Sequence, residues 1–221
     1  MRDFFTCIII LITSDNNTLA AETAKDVISC DSMSAIPPGG KVIQVNRMFK
    51  RFYPDYDVKS AYVIDYEELY GKGYRGIIFD IDNTLVPHGE PADERAIQLI
   101  ARLKQTGFGV MLLSNNKELR VKQFNDKVSV RYIFKAGKPG RRGYERAMSE
   151  LGTTAENTLF IGDQLFTDVW GAKRAGIVSY LVEPIYPKEE IQIVLKRYLE
   201  RIVLYFYRRK KNTEGNRCEE R

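Results

Sequence analysis

From residue 77 onward, short apolar runs alternate with stretches whose apolar positions recur at helical spacing. Ile77-Ile78-Phe79 is an unbroken apolar run that ends at Asp80, the pattern of a strand buried on both faces. Ala92 to Gln105 carries Ile97, Ile100 and Leu103 in helical register, and Gly107 closes it. Val110 to Leu113 reads as the next strand and ends at Ser114, followed by a short helix over Lys117 to Phe124. Tyr132-Ile133-Phe134 is a third strand, and Gly143 to Leu151 a helix stopped by Gly152. Leu159-Phe160-Ile161 is a fourth strand leading into Gly162-Asp163. Phe166 to Ala175 reads as helix ending at Gly176, and Val178 to Val182 as a fifth strand. Strands alternating with helices predict an α/β fold with a parallel sheet covered by helices.

Residues capable of chemistry fall where these strands end. Asp80, Ser114, Lys138 and Asp163 each sit at or just past a predicted strand terminus. In an open α/β sheet the carboxyl ends of the strands line the ligand crevice, so positions far apart in sequence converge there. Asp80-Ile81-Asp82-Asn83-Thr84 places two carboxylates two residues apart. One can attack phosphorus to form an aspartyl-phosphate, and the other can protonate a leaving oxygen and then activate water. A carboxylate meeting an anionic phosphate calls for a cation between them, and hard oxygen ligands suit Mg²⁺. Gly162-Asp163-Gln164-Leu165-Phe166-Thr167-Asp168 adds two further carboxylates. Lys138 offers a point charge for phosphoryl oxygens, and Ser114 with the amides around Asn115 offers hydrogen-bond donors.

Taken singly, each of these residues has an ordinary explanation. Asp-x-Asp at a strand end is commonly a turn or a cap, and an aspartate after glycine is commonly a turn. The ordered series, each member following a strand, is what such explanations do not account for. His88 is the only histidine and reads as a surface loop residue, which excludes a Ser-His mechanism and a histidine metal site.

In these residues the chain resembles the haloacid dehalogenase superfamily. DIDNT, the Ser114 strand end, Lys138 and GDQLFTD stand in that family's motif order. The resemblance implies a Rossmann-like fold with Asp80 as nucleophile and Asp82 as general acid/base. It also implies Mg²⁺ held by Asp80, the Asp82 carbonyl and Asp163, with Asp168 orienting the metal shell. Dehalogenases proper lack the second carboxylate, so the resemblance points to phosphate hydrolysis. A closer resemblance is to the YqeG family of capless phosphatases, through Met48-Phe49-Lys50-Arg51-Phe52-Tyr53-Pro54, the DIDNTLV run, LLSNN at 112–116 and GDQLFTDVWG. The chain departs from that pattern at Gly137 and at Gly140-Arg141-Arg142, around the lysine. The segments after Asp80 and between Ser114 and Lys138 are too short to hold a cap domain, since independent domains need about 50 residues. An uncapped crevice admits a phosphate carried on a bulky molecule or standing off a membrane.

The ends of the chain read differently from its middle. Phe4 to Ile12 is an apolar run too short to span a bilayer, and Arg2 is offset by Asp3. Pro37-Pro38-Gly39-Gly40 interrupts any regular structure before Met48. Residues 1–47 are therefore expected to be an extension outside the core rather than an export signal, with the phosphatase domain at 48–186. In 187–221, Ile191, Val194, Leu195, Tyr198, Ile202, Tyr205 and Phe206 follow helical spacing, and Arg208 to Lys211 end the pattern. The net charge of +5 is mild, yet this stretch is locally basic. A basic amphipathic helix fits either a place against the domain or an anionic membrane interface. Cys7, Cys30 and Cys218 show no metal-ligand spacing, and a cytoplasmic setting, with peripheral contact at the inner membrane face, is expected.

The expected substrate is a phosphomonoester, with phosphatidylglycerophosphate the leading case because relatives resembling this chain include phosphatases of that lipid. A soluble sugar or nucleotide monophosphate is the alternative. A receiver-like phosphoacceptor is a different class, but receivers place their acidic pair and phosphorylated aspartate on separate strands, unlike DIDNT. An RNA-binding reading rests only on the basic tail, and no specific nucleic acid is expected.

Overall fold

The computed structural model describes residues 50–186, together with 200, 201, 203–205, 207 and 208, which are helical. The expected extension at 1–47 and most of the expected amphipathic helix, including Ile191, Val194, Leu195, Tyr198, Ile202 and Phe206, lie outside the described residues.

Six parallel strands form one sheet: β1 (Tyr56–Val58), β2 (Gly76–Phe79), β3 (Gly109–Leu113), β4 (Arg131–Ile133), β5 (Thr158–Gly162) and β6 (Val178–Val182). Their order across the sheet is β1-β6-β5-β2-β3-β4, which puts β2 at the centre between β5 and β3. The helices are α1 (Tyr66–Gly71), α2 (Glu94–Thr106), α3 (Glu118–Val128), α4 (Arg141–Leu151) and α5 (Trp170–Arg174). No helix among the described residues is long and apolar enough to cross a membrane.

The pleat of β2 explains why its apolar run is unbroken. Ile77 and Phe79 join a core with Leu99, Ile100 and Leu103 of α2 and with Val121 and Phe124 of α3. Ile78 points the other way and packs with Tyr144, Ala147 and Met148 of α4 and Ala172 of α5. Both faces are covered, so no polar position interrupts the strand. The five strands expected from the hydropathy pattern are all present, β4 beginning and ending one residue earlier than expected. Asp93 caps α2 by accepting a hydrogen bond from the Ala96 amide, and Gly107 ends it at φ 105°.

Strand β1 was not evident from hydropathy, because it is a three-residue edge strand with a mixed pattern. Polar contacts anchor it. Asp55 Oδ2 accepts hydrogen bonds from the Ser179 amide at 2.9 Å and hydroxyl at 2.7 Å, and Asp55 Oδ1 pairs with Lys173 Nζ at 2.7 Å. Tyr56 stacks on Tyr180 with ring centroids 4.5 Å apart.

The stretch expected to be one helix over Phe166 to Ala175 is two elements. Residues Leu165–Val169 form a π-helical turn, and only then does α5 begin. Phe52 meets both halves edge-on, with ring centroids 5.2 Å from Phe166 and 5.3 Å from Trp170. Helix α5 can lie close to α4 because Gly171 has no side chain. A Cβ there would stand 2.6 Å from two ring carbons of the fully buried Tyr144. Gly171→Ala is therefore expected to lower stability by about 1–3 kcal/mol through overpacking. Urea unfolding should show an earlier midpoint at unchanged slope.

Candidate active site

The central strand delivers Asp80 to the carboxyl edge of the sheet, where its amide still extends the ladder by donating to the Ile161 carbonyl at 2.9 Å. The chain then turns sharply. Asn83 takes φ 62°, and the amides of Thr84, Leu85 and Val86 fold back onto the Ile81 carbonyl. Next to it, β5 ends at Gly162 and delivers Asp163, whose Oδ1 accepts a hydrogen bond from Thr84 Oγ1 at 3.3 Å. Five residues on, the π-turn returns Asp168 to the same point.

Asp168 is oriented from three sides. Its Oδ2 accepts from the Gln164 amide at 3.0 Å, and its own amide donates to the Gln164 carbonyl at 2.9 Å. Tyr144 donates its hydroxyl to the Thr167 carbonyl at 3.0 Å, holding the turn from the helix side. Burial, with the charges of Asp168 and Asp80, pushes the Tyr144 hydroxyl pKa far up, so it stays a neutral donor. Gly162 leaves the space the carboxylate fills, because a Cβ there would be 2.5 Å from Asp168 Oδ2.

The carboxylates of Asp80, Asp163 and Asp168 are all buried, with ligand oxygens within 4.8 Å of one another. Lys138 enters this cluster from the loop after β4, its Nζ 2.6 Å from Asp80 Oδ1 and 2.7 Å from Asp168 Oδ1. The loop is braced against the end of β3. The Lys138 amide donates to Asn115 Oδ1 at 2.7 Å, and Asn115 Nδ2 donates to the Lys138 carbonyl at 3.0 Å. Burial alone would lower the Lys138 pKa, but Asp168 and Asp80 outweigh it and raise the value. Asp80 responds to the remaining imbalance. Burial lifts its pKa above the usual carboxylate range, Lys138 opposes this, and Asp168 and Asp82 add to it. Among the described residues, three buried carboxylates gather beside the Lys138 ammonium, a set of hard oxygen donors that fits a divalent cation.

Ser114 is buried at the end of β3, the strand beside β2, and its Oγ accepts from the Asn116 amide at 3.1 Å. Asp82 does not join the carboxylate cluster. Its Oδ1 accepts from the Gly89 amide at 2.8 Å and from Arg120 Nη2 and Nε at 2.9 and 3.1 Å, and its Oδ2 accepts from Asn116 Nδ2 at 2.7 Å. His88, half-exposed, has Nδ1 3.7 Å from the same Oδ1. Of the residues predicted from sequence, Asp80, Lys138, Asp163 and Asp168 thus meet directly, Ser114 ends the adjacent strand, and the Asp82 carboxylate faces a separate donor set.

Arg120, Asn116 and Thr84 were not anticipated. The available signal was position. Thr84 lies in the DIDNT turn, and Asn116 and Arg120 lie between the Ser114 strand end and the first turn of the helix after it.

Comparison with known proteins bears on what this arrangement does. A HAD-hydrolase-like family model matches residues 135–184. The protein named "Probable phosphatase YqeG" of Bacillus subtilis (strain 168) is 38% identical over 165 residues, covering 74% of this chain and 96% of that protein. Phosphatidylglycerophosphate phosphatase 1, chloroplastic/mitochondrial, of Arabidopsis thaliana is 29% identical over 172 residues, covering 71% of this chain and 47% of that protein. Among solved structures, the cobalt-bound deoxy-D-mannose-octulosonate 8-phosphate phosphatase YrbI of Haemophilus influenzae matches with TM-score 0.42 and 20% identity, covering 52% of this chain and 70% of that one.

Removing the ammonium while leaving its partners tests the charge balance of the cluster. Lys138→Met is expected to cost about 3–5 kcal/mol in the presence of a chelator, because two buried carboxylates lose their counter-charge. Added divalent cation should narrow the gap to the parent protein, since it supplies the missing charge. Denaturant titrations with and without the cation give both numbers.

Proposed function

This chain belongs to the YqeG family of haloacid-dehalogenase-like phosphatases, and on that premise we propose a Mg²⁺-dependent phosphomonoesterase working through an aspartyl-phosphate on Asp80. The observation that carries the reading is the buried Asp80–Asp163–Asp168 cluster with Lys138 bound to two of its members. Asp80, Asp163 and Asp168, with the main-chain carbonyl of Asp82, would hold the ion, which neutralises charge between the nucleophile and the phosphate.

In this reading an Asp80 oxygen attacks phosphorus, and the bond from phosphorus to the ester oxygen breaks. A proton carried by Asp82 passes to the departing oxygen, which leaves as an alcohol. Asp82, now a carboxylate, takes a proton from water. The resulting hydroxide attacks phosphorus, releasing inorganic phosphate and restoring the Asp80 carboxylate and the Asp82 acid. Lys138 and Ser114 supply a charge and a hydroxyl donor for the phosphoryl oxygens. Lys138 also keeps Asp80 aimed, because its Nζ fixes one carboxylate oxygen.

The substrate we favour is a lipid phosphomonoester of the phosphatidylglycerophosphate kind. Its support is the name borne by the Arabidopsis relative and the short connections from β2 to α2 and from β3 to α3, which insert no cap over the strand ends. A phosphate standing off a bilayer reaches an open crevice more readily than an enclosed one. The enzyme would then act at the inner face of a membrane from the cytoplasmic side.

Asp80→Asn should abolish phosphate release in a protein that still melts cooperatively, because an amide does not form the acyl phosphate. Uncatalysed phosphate-monoester hydrolysis is among the slowest of reactions, so the loss is expected to exceed about a thousandfold. Turnover by the folded variant at near-parent rate removes Asp80 from the role. The substrate is tested separately by kcat/KM on vesicles carrying phosphatidylglycerophosphate against sugar and nucleotide monophosphates. A higher value for the soluble esters overturns the lipid assignment and leaves the phosphatase assignment standing.

A further inference from the structure

The donor set around Asp82 is unequal between its two oxygens, and the inequality bears on which atom handles the proton. Oδ1 receives three N–H groups: the Gly89 amide at 2.8 Å, Arg120 Nη2 at 2.9 Å and Arg120 Nε at 3.1 Å. A carboxylate oxygen has two lone-pair directions, so Oδ1 is fully engaged. Oδ2 receives one, from Asn116 Nδ2 at 2.7 Å, and keeps a lone pair uncommitted among the described residues. We infer that Arg120 is a positioning residue for the reaction, gripping Asp82 Oδ1 so that Oδ2 alone carries the proton to and from the ester oxygen.

The inference rests on the phosphatase reading above and adds to it a residue outside its motifs. Arg120 reaches Asp82 from the first turn of α3, where its amide donates to the Lys117 carbonyl at 3.1 Å. Both contacts come from one edge of the guanidinium and converge on Oδ1, which pins that oxygen more firmly than a single donor would. Its side chain is 14% exposed, and Asp82 is 10% exposed, so water competes little for either partner.

The guanidinium is committed to Asp82 and not to its other neighbours. Its third nitrogen, Nη1, is buried and has no hydrogen-bond partner among the described residues. A desolvated N–H left unpaired is a cost, and buried ion pairs as a class are poor stabilisers compared with apolar packing. A leucine or methionine on this helix face would avoid that cost but would leave the buried Asp82 carboxylate without the guanidinium that faces it. What it would lose is the hold on Oδ1.

Leaving-group dependence separates positioning from a general loss of structure. An alkyl phosphate such as glycerol 3-phosphate must have its departing oxygen protonated, whereas p-nitrophenyl phosphate releases a stable anion unaided. The ratio kcat/KM reports steps through phosphoenzyme formation and leaving-group departure, so it isolates the acid role of Asp82. In the full chain with Mg²⁺, Arg120→Ala should lower kcat/KM for glycerol 3-phosphate on the order of 100-fold, within the range of general acid–base contributions. The same variant should lower it for p-nitrophenyl phosphate by less than about threefold. Arg120→Lys, with a charge but no planar fork, should fall between. Asp82→Asn should show the same selective loss, and adding Arg120→Ala to it should change nothing further, since both act through one carboxylate.

Equal losses on the two esters, or an additive double variant, overturn the inference, as does an Arg120→Ala protein with parent activity on glycerol 3-phosphate. Should Arg120→Ala melt too early for kinetics, the Arg120→Lys ratio and the Asp82→Asn background carry the same decision. Turnover by Asp80→Asn would instead remove the underlying phosphatase reading, which none of the Arg120 outcomes does.

Discussion

Two carboxylates bound to one buried ammonium set the terms for everything near the end of the central strand. Lys138 cannot reach both Asp80 and Asp168, at 2.6 and 2.7 Å, unless three separate pieces of chain are held in register. Asn115 clasps the Lys138 backbone at both its amide and its carbonyl. Gly162 gives up a side chain so that Asp168 can occupy the space. Tyr144, deep in the second core, holds the turn that carries Asp168. The sheet between α2, α3 on one side and α4, α5 on the other is the frame that keeps these pieces in register. The same frame gathers the oxygens of Asp80, Asp163 and Asp168 within 4.8 Å of one another, the kind of donor set that suits a divalent cation.

Asp82 illustrates a different use of the same turn. It is two residues from Asp80, yet its carboxylate belongs to another environment, built from α3 and the loop at Gly89. In the proposed reaction the two aspartates must differ, one attacking phosphorus and one exchanging a proton. Asp80 still extends the sheet ladder whereas Asp82 opens the turn through Asn83 at φ 62°, so sequence neighbours have distinct surroundings.

Much of this was legible before the structure. Five of six strands, and the placement of Asp80, Ser114, Lys138 and Asp163 at or just past strand ends, followed from hydropathy runs bounded by polar residues. Periodicity speaks only where burial dictates the residue type. Strand β1 is held by Asp55, Ser179 and Lys173, contacts between residues some 120 positions apart that no local pattern encodes. Arg120 looks like any basic residue on an exposed helix start until the partner it reaches is known. The π-turn escaped notice because its residues have ordinary helical propensities. The departure lies in the hydrogen bonding, Val169 donating to Gln164 as well as Asp168 doing so.

That wide turn has a consequence for how the protein tolerates change. A π-turn is an α-helix with one residue added, and each residue advances an α-helix by about 100°. Deleting a single residue between Gln164 and Asp168 would heal the helix into regular geometry, which local energetics would welcome. It would also swing the Asp168 side chain about a quarter-turn away from Lys138. The segment is thus a place where better secondary structure and a working site are mutually exclusive, and where insertions and deletions, more than substitutions, mark the boundary of what the fold can absorb.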